Sequence, residues 1–284
     1  MWPWQSIGER PRRGDRVGPF IIENEIGAGG MGVVMLARRD SDGAQVALKL
    51  LRPELAQDET YRARFLQEAR AASSVSDRHL VSILDVGEAD GRQFIAARYV
   101  PGRSLEALIR DQRVLADTVV ATIVADVGGA LDALHAHDIV HRDVKPSNVM
   151  IDIDGTALLT DFGLAKGSAY TVLTRPGQVM GTPDYLAPEL IRGQRASSGT
   201  DIYALGCLAY EALCGHPPFA GLRTFQLLSA HLNDPPPAPA AERPDVPEPF
   251  AAALLLALEK QPARRPRTGA AYAEALAAAV SARP

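Results

Sequence analysis

From about Phe20 to Val100, apolar and polar positions alternate in short runs: FIIENEI, GVVMLARR, QVALKLL, LVSILDVGE and QFIAARYV. Period-two alternation with β-branched enrichment predicts strands, and the SDG and ADG stretches between runs are hairpin signals. The region therefore reads as a five-stranded antiparallel sheet. One segment breaks the pattern, from about Asp58 to Val75, where Tyr61, Phe65, Ala69 and Ala72 recur at helical spacing. Glu68 falls on that same inward stripe, and an acidic residue facing a core needs a basic partner.

After Pro101 the period changes to that of helices. SLEALIRD, TVVATIVADVGGALDALHAHD, GTDIYALGCLAYEALCG, PFAAALLLALEK and GAAYAEALAAAVSA all read as amphipathic or buried helices. Two β-like pieces, NVMIDI and ALLTDF, follow the polar stretch HRDVKPSN, and a long polar segment runs from Gly163 to Pro188. A loop of that length inside a compact domain is usually functional or mobile. The Pro-rich DPPPAPAAERPDVPEP resembles a linker in composition, but only about 35 residues follow it, too few for a second core.

Composition narrows the function classes. With 284 residues and 46% hydrophobic content the chain can bury a proper core, and a net charge of -4 argues against a protein that coats nucleic acid or anionic lipid. Cys207 and Cys214, two helical turns apart in an apolar segment, are expected to pack as small hydrophobes rather than to bridge or bind metal. The first residues, MWPWQSIGERPRRGDRVG, lack an export-signal pattern, and the longest uninterrupted apolar run, Phe250 to Leu258, is short of the roughly 20 residues a membrane span needs. The expectation is a cytoplasmic chain without a membrane segment, although a longer parent chain could carry an anchor.

Three clusters carry candidate chemistry. Gly27-Ala28-Gly29-Gly30-Met31-Gly32 fits G-x-G-x-x-G, a pattern that 24 glycines in 284 residues give by chance about 0.2 times. It leads into a strand rather than a helix, so it reads as a hairpin folded over phosphates, with a plain glycine-rich hairpin as the alternative. Lys49 ends the apolar VALK, where an unpaired ammonium is costly; Glu68 can supply one counter-charge and a phosphate another, unless the lysine simply reaches solvent. HRDVKPSN, with TDFGLAK at 160 to 166, is the third. Five fixed residues of H-R-D-x-K-x-x-N arise by chance at roughly 10⁻⁴ per chain of this length.

The ordered set GAGGMGVV, VALK, inward Glu68, HRDVKPSN, DFG, APE (Ala187 to Glu189) and DIYALG resembles the protein-kinase family over about residues 19 to 282, most closely the bacterial Hanks-type serine/threonine kinases. The resemblance implies an α+β, bilobal fold: a flexible basic tail at 1–18, a small antiparallel β-sheet lobe with one key helix at 19–99, and a larger, mainly helical lobe at 100–282. It also implies transfer of the γ-phosphoryl group of ATP to protein Ser/Thr hydroxyls, with Mg2+, or Mn2+ in its place; a catalytically silent nucleotide-binding scaffold of the same fold is the alternative.

Carried over by position, Asp143 orients the substrate hydroxyl and accepts its proton, Lys145 offsets γ-phosphate charge, and Lys49 with Glu68 holds the α/β-phosphates. Ile26, Gly27, Ala28, Gly29, Gly30, Met31, Gly32, Val34, Ala47, Lys49 and Met150 contact the nucleotide, and Asn148 and Asp161 hold the metal. Arg142 makes an activation-loop phosphate useful, with Thr171 and Thr174 as the autophosphorylation candidates and Thr182 as a substrate-side contact. His141 and Phe162 belong to an internal stack. Glu189 pairs with Arg265, and Asp201 accepts from the backbone of the catalytic loop. His135 and His137 read only as helix-end residues. Ala97 and Arg98 depart from the usual bulky residue followed by an acidic one, which implies a deepened pocket behind the adenine. Partners are Ser/Thr-bearing proteins, with pairing of two copies through the smaller lobe as a family expectation and no nucleic acid.

Overall fold

The computed structural model describes residues 11–30, 32–161, 173–175, 178–179 and 183–282. The chain divides into two compact units: residues up to Ser76 together with Val81–Pro101, and Asp77–Leu80 together with the chain from Gly102 onward.

The first unit is a six-stranded antiparallel sheet in the order β1-β2-β3-β4-β6-β5. Its strands are β1 (Arg16–Val17), β2 (Phe20–Ala28), β3 (Gly32–Arg39), β4 (Gln45–Leu51), β5 (Ile83–Ala89) and β6 (Arg92–Arg98), with helices α1 (Pro53–Ala56) and α2 (Glu59–Ser73) inserted after β4. The expected five strands are present, and β1 is an addition. It falls within the stretch 1–18 expected as a tail, and Val17 there is buried against the sheet. Two residues are too few for a periodic signal to emerge.

Turn chemistry fixes the register. β5 and β6 are joined by Asp90 and Gly91, both at positive φ (52° and 72°), the two-residue turn whose twist matches a hairpin. Val17, Phe20, Ile22, Val33, Met35, Ala37, Val46, Leu48, Leu50, Phe94 and Ala96 close the core on one face of the sheet, with Phe20 and Phe94 edge to face at 5.5 Å. Helix α2 starts where Asp58 accepts from the Tyr61 N–H at 3.0 Å, and it buries Phe65, Ala69 and Ala72.

The second unit is mostly helical. Strands β7 (Gly102–Ser104), β8 (Val149–Asp152) and β9 (Ala157–Leu159) form a small antiparallel sheet, and β10 (Leu173–Arg175) pairs with β11 (Gln178–Val179). The helices are α3 (Leu105–Gln112), α4 (Asp117–His135), α5 (Pro188–Ile191), α6 (Ser198–Cys214), α7 (Thr224–Asn233), α8 (Glu248–Leu255) and α9 (Gly269–Ser281). Helix α4 is long and apolar enough, by length and composition, to cross a membrane; here Val120, Ile123, Val124, Val127, Ala130, Leu131 and Leu134 are buried and it packs on α6 and α9, as a core helix does. Cys207 and Cys214 are both buried free thiols, as expected, and burial pushes both thiols up.

The α4–α9 crossing is backbone on backbone. A Cβ on Gly269 would lie 2.2 Å from the Gly128 carbonyl oxygen, and Asp132 on α4 accepts from the N–H groups of Gly269 (2.7 Å) and Ala270 (2.8 Å), capping α9. Neither backbone can move aside, so Gly269→Ala is expected to lower stability by about 3 kcal/mol in urea unfolding. Gly129, adjacent to Gly128, has open space at its Cβ position, and Gly129→Ala is expected to add about 0.5–1 kcal/mol instead.

Two buried histidines make the fold acid-sensitive. His231, against Tyr203 and Phe219, takes a 2.8 Å hydrogen bond between Nδ1 and the Tyr203 hydroxyl, and burial, helped by the Lys260 charge, pushes its pKa down to about 3. His141 is likewise shifted down by burial. The unfolded chain binds the protons that the folded chain refuses, so this stability is full above about pH 6.5 and is lost as pH falls toward 3. From pH 7.5 to 5 the loss through His231 is expected to be about 2 kcal/mol, and His231→Asn should flatten the slope of urea midpoint against pH.

Candidate active site

In the first unit, strand parity sorts the residues. Residues opposite each other in antiparallel strands share a face, and the register pairs Val34 with Lys49, Leu36 with Ala47, Ala47 with Ala97, and Lys49 with Ile95. Val34, Ala47, Lys49 and Ala97 thus lie together on the face opposite the closed core, and all four are half-buried. These are the positions the sequence proposes for nucleotide contact, the Ala97 departure included.

The glycine hairpin joins β2 to β3. Gly29 donates its N–H to the Gly32 carbonyl at 2.9 Å, and a Cβ on Gly32 would lie 1.9 Å from the Leu50 carbonyl oxygen, so glycine there is demanded by close approach of β4. Gly29 and Gly30 differ: among the described residues nothing lies within 4 Å of a Cβ at either, so none of those residues requires glycine there. The backbone there stays open to a ligand, which fits a phosphate cradle. Ile26, at the edge of the hairpin, is an exposed large apolar residue, 46% accessible. Met31 lies outside the described residues. Glu68 sits half-buried on α2 between the buried Phe65 and Ala69.

In the second unit, a loop between α4 and β8 holds the polar cluster. Pro146–Asn148 form a single 3-10 turn that closes it. The Asn148 amide nitrogen donates both to the Asp143 carbonyl (2.8 Å) and to Asp143 Oδ2 (2.9 Å), and Lys145 Nζ stands 3.0 Å from the same Oδ2. Both neighbours of that amide are acceptors, so its nitrogen must face them and its oxygen is what Asn148 presents outward. The Thr160 N–H donates to the Asn148 carbonyl at 2.9 Å, which continues the β8–β9 ladder and places Asp161 one residue beyond. Asn148 and Asp161 thus offer oxygen donors from adjoining positions, the ligand type a hard cation prefers. Among the described residues no group of three or more His, Cys, Asp or Glu side chains could hold a metal, so such a cation would take further ligands from phosphate and water.

The loop is held from beneath. Asp201, in the first turn of α6 and 1% exposed, accepts from the backbone N–H of His141 and of Arg142, each at 2.8 Å, as the sequence implies. Arg142 (φ 63°) and Asp161 (φ 54°) both adopt the left-handed conformation, each costing about 1–3 kcal/mol and persisting only where surroundings enforce it. Fully buried His141 accepts the Asp143 N–H at Nδ1 (3.3 Å), leaving its Nε2–H to donate to the Thr160 carbonyl (3.1 Å). Its low pKa, set first by burial and only opposed by Asp201 and Asp143, keeps that neutral tautomer in place.

Further out, Glu189 on α5 is bidentate to Arg265, with Nη1–Oε1 at 2.8 Å and Nη2–Oε2 at 2.9 Å. Burial would raise the Glu189 carboxyl, but the Arg265 bonds and charge outweigh it and leave the pKa lowered. Met150, on β8, is half-buried and paired with Leu158. Phe162, Thr171 and Thr182 lie outside the described residues, and of Thr174 only its place in strand β10 is described. One contact was not foreseen: His135, read from sequence as a helix-end residue, has its Nε2 2.8 Å from Asp201 Oδ2.

The protein kinase domain family matches residues 20–275 of the chain. The serine/threonine-protein kinase PknE of Mycobacterium tuberculosis is 39% identical over 254 residues, covering 89% of this chain and 45% of that protein. PknH of Mycobacterium bovis is 37% identical over 260 residues, 92% of this chain and 44% of the relative. The chain thus spans less than half the length of these curated relatives. Among solved structures, the Mycobacterium tuberculosis PknI kinase domain superposes with a TM-score of 0.79 at 31% identity, covering 96% of this chain and all of that one. With the antiparallel sheet unit and the helical unit already in view, these likenesses carry one conclusion: the chain belongs to the protein kinase family, as a catalytic domain of the bacterial Hanks type.

Proposed function

We propose that the chain is a serine/threonine protein kinase using Mg-ATP. The observation that carries this reading is the Asp143 carboxylate, held by Asn148 and Lys145 on a loop whose backbone a buried aspartate fixes. In this reading Asp143 orients a substrate hydroxyl and takes its proton as the oxygen attacks the γ-phosphorus and the bond to ADP breaks. A free carboxylate is a weak base, so alignment contributes more than basicity. Lys145 offsets charge on the transferring group. The glycine hairpin and Lys49 with Glu68 bind the phosphates, and Ile26, Val34, Ala47 and Met150 bear on the adenine. Asn148 and Asp161 would hold the Mg2+, for which Mn2+ could substitute, and the bound cation would supply positive charge that offsets the charge on the phosphates.

Self-modification of Thr171 or Thr174 belongs to the same proposal, with Arg142 as the partner of the added phosphate. Incubation with labelled ATP and Mg2+, beside Asp143→Asn, tests it: label on serine and threonine of a protein substrate supports the reading, and mass spectrometry locates self-phosphorylation. ATP binding without transfer would favour the silent scaffold. The small Ala97 gives a further expected outcome: Ala97→Met should weaken inhibition by a bulky purine analogue about tenfold or more, while leaving ATP turnover within about threefold. Equal inhibition of both proteins would remove the deepened pocket from the proposal.

A further inference from the structure

From the contacts around the glycine hairpin, we infer that Arg52 is a positioning residue for the nucleotide's phosphates, a role that rests on the kinase reading above. Arg52 directly follows β4, and its Nη2–H donates to the Gly29 carbonyl at 2.6 Å, reaching back across β3 to the tip of the hairpin. A peptide group is planar and trans, so its carbonyl and the N–H of the following residue point opposite ways. Holding the Gly29 carbonyl therefore aims the Gly30 N–H. Arg52 is extended (φ -63°, ψ 139°) and carries on the alternation of β4, which sends its side chain off on the side of Leu48 and Leu50, away from that of Lys49. The Gly29 carbonyl is drawn to that side, and the Gly30 N–H is turned toward the Lys49 side, where the phosphates are proposed to lie.

Without this bond the peptide between Gly29 and Gly30 is free to flip. Neither residue has a Cβ to restrict φ, and among the described residues nothing lies within 4 Å of where one would be. The Gly29 N–H is already spent on the Gly32 carbonyl at 2.9 Å, so the Gly30 N–H is the next donor a phosphate can reach. The arginine gives up solvation to hold it: its Nε is enclosed, with no acceptor among the described residues. Its backbone is fixed as well. The Arg52 carbonyl accepts from the N–H groups of Leu55 (3.1 Å) and Ala56 (3.0 Å), with Pro53 as the first residue of α1, and α1 packs on α2. One residue thus ties the hairpin tip to the helices whose Glu68 answers Lys49, while touching neither the adenine nor the transferring group.

The test compares Arg52→Leu, which lacks a donor, with Arg52→Lys, whose ammonium can still serve a single carbonyl. Isothermal titration measures the binding of Mg-ATP and of adenosine, which has no phosphates, at about 0.05 and about 0.5 M KCl. Arg52→Leu is expected to weaken Mg-ATP about 5- to 20-fold at both salt concentrations and adenosine by less than about twofold, and Arg52→Lys to recover most of the ATP loss. An ATP affinity in Arg52→Leu like that of the unsubstituted protein overturns the inference. So does equal weakening of both ligands, which marks general damage to the sheet. A loss that vanishes at the higher salt overturns it too, since that marks a long-range charge effect, as does an equal ATP loss in both variants. An unsubstituted protein that transfers no phosphate to casein, yet shows the ATP-specific loss on Arg52→Leu, would instead sink the kinase reading and leave the hairpin clamp standing.

Discussion

Asp143→Asn is expected to lose about 10²- to 10⁴-fold in phosphate transfer while binding ATP within about threefold of the unsubstituted protein. The asymmetry follows from the contacts. Asp143 Oδ2 is shared by the Asn148 amide and Lys145 Nζ, so this oxygen is the anchor that sets the orientation of the whole carboxylate. An amide in its place can keep one oxygen toward those donors only by turning its NH2 toward the position of the attacking hydroxyl. It then can neither accept the hydroxyl proton nor present a charge to it. The fold should change little, because Asp201 and His141 hold the loop backbone independently of the Asp143 side chain. Radiolabel transfer, nucleotide titration and a thermal melt on the same preparation check this; transfer within tenfold of the unsubstituted protein would rule out the assigned role.

The largest effect on stability is expected at Arg265. Its guanidinium is enclosed and saturates five acceptors: both Glu189 oxygens and the carbonyls of Gly199 (2.7 Å), Glu259 (2.8 Å) and Lys260 (3.3 Å), while its plane lies over Tyr203. Arg265→Met fills much of the volume but strands a buried carboxylate and three carbonyls. The expected cost is about 3–5 kcal/mol, or a fall in Tm on the order of 10 °C. Arg265→Lys should recover little, since a single ammonium cannot serve a fork-shaped site. Joint replacement, Glu189→Gln with Arg265→Met, should be less damaging than Arg265→Met alone, because the enclosed charge goes with its partner. A Tm for Arg265→Met within about 2 °C of the unsubstituted protein would show that the pair contributes no net stability.

What could be read from the chain alone divides along a physical line. Strands β2 to β6 and helices α4, α6 and α9 were legible because each repeats its period over enough residues to name a buried face. β1 and β7 are too short for a period, and α7, in TFQLLSAHLN, hides beside a glycine- and proline-rich stretch that reads as loop. Among the site residues, Asp143, Lys145 and Asn148 stand within six positions, and that closeness made them conspicuous. His135 did not stand out. Its partner Asp201 is 66 residues away, and only the packing of α4 on α6 brings the two together. The Asn148 amide posed a similar limit: its type suggested a metal ligand, but its two bonds to Asp143 are a property of the 3-10 turn.

The alternation that sets Val34, Ala47, Lys49 and Ala97 on one face and Val33, Val46, Leu48 and Ala96 on the other also governs where this chain can change length. One residue gained or lost inside β3 or β4 would exchange the two sets, putting a lysine into the oil and valines on the face proposed for the nucleotide, so both recognition and folding would fail together. At Gly43 and Gly91, both at positive φ with open space around them, the same event would alter only a turn on the surface. Tolerance to insertion in the first unit should therefore alternate sharply, with hairpin tips permissive and strands closed, and a scan of single-residue insertions across residues 32–51 would trace the strand boundaries as a map of survival.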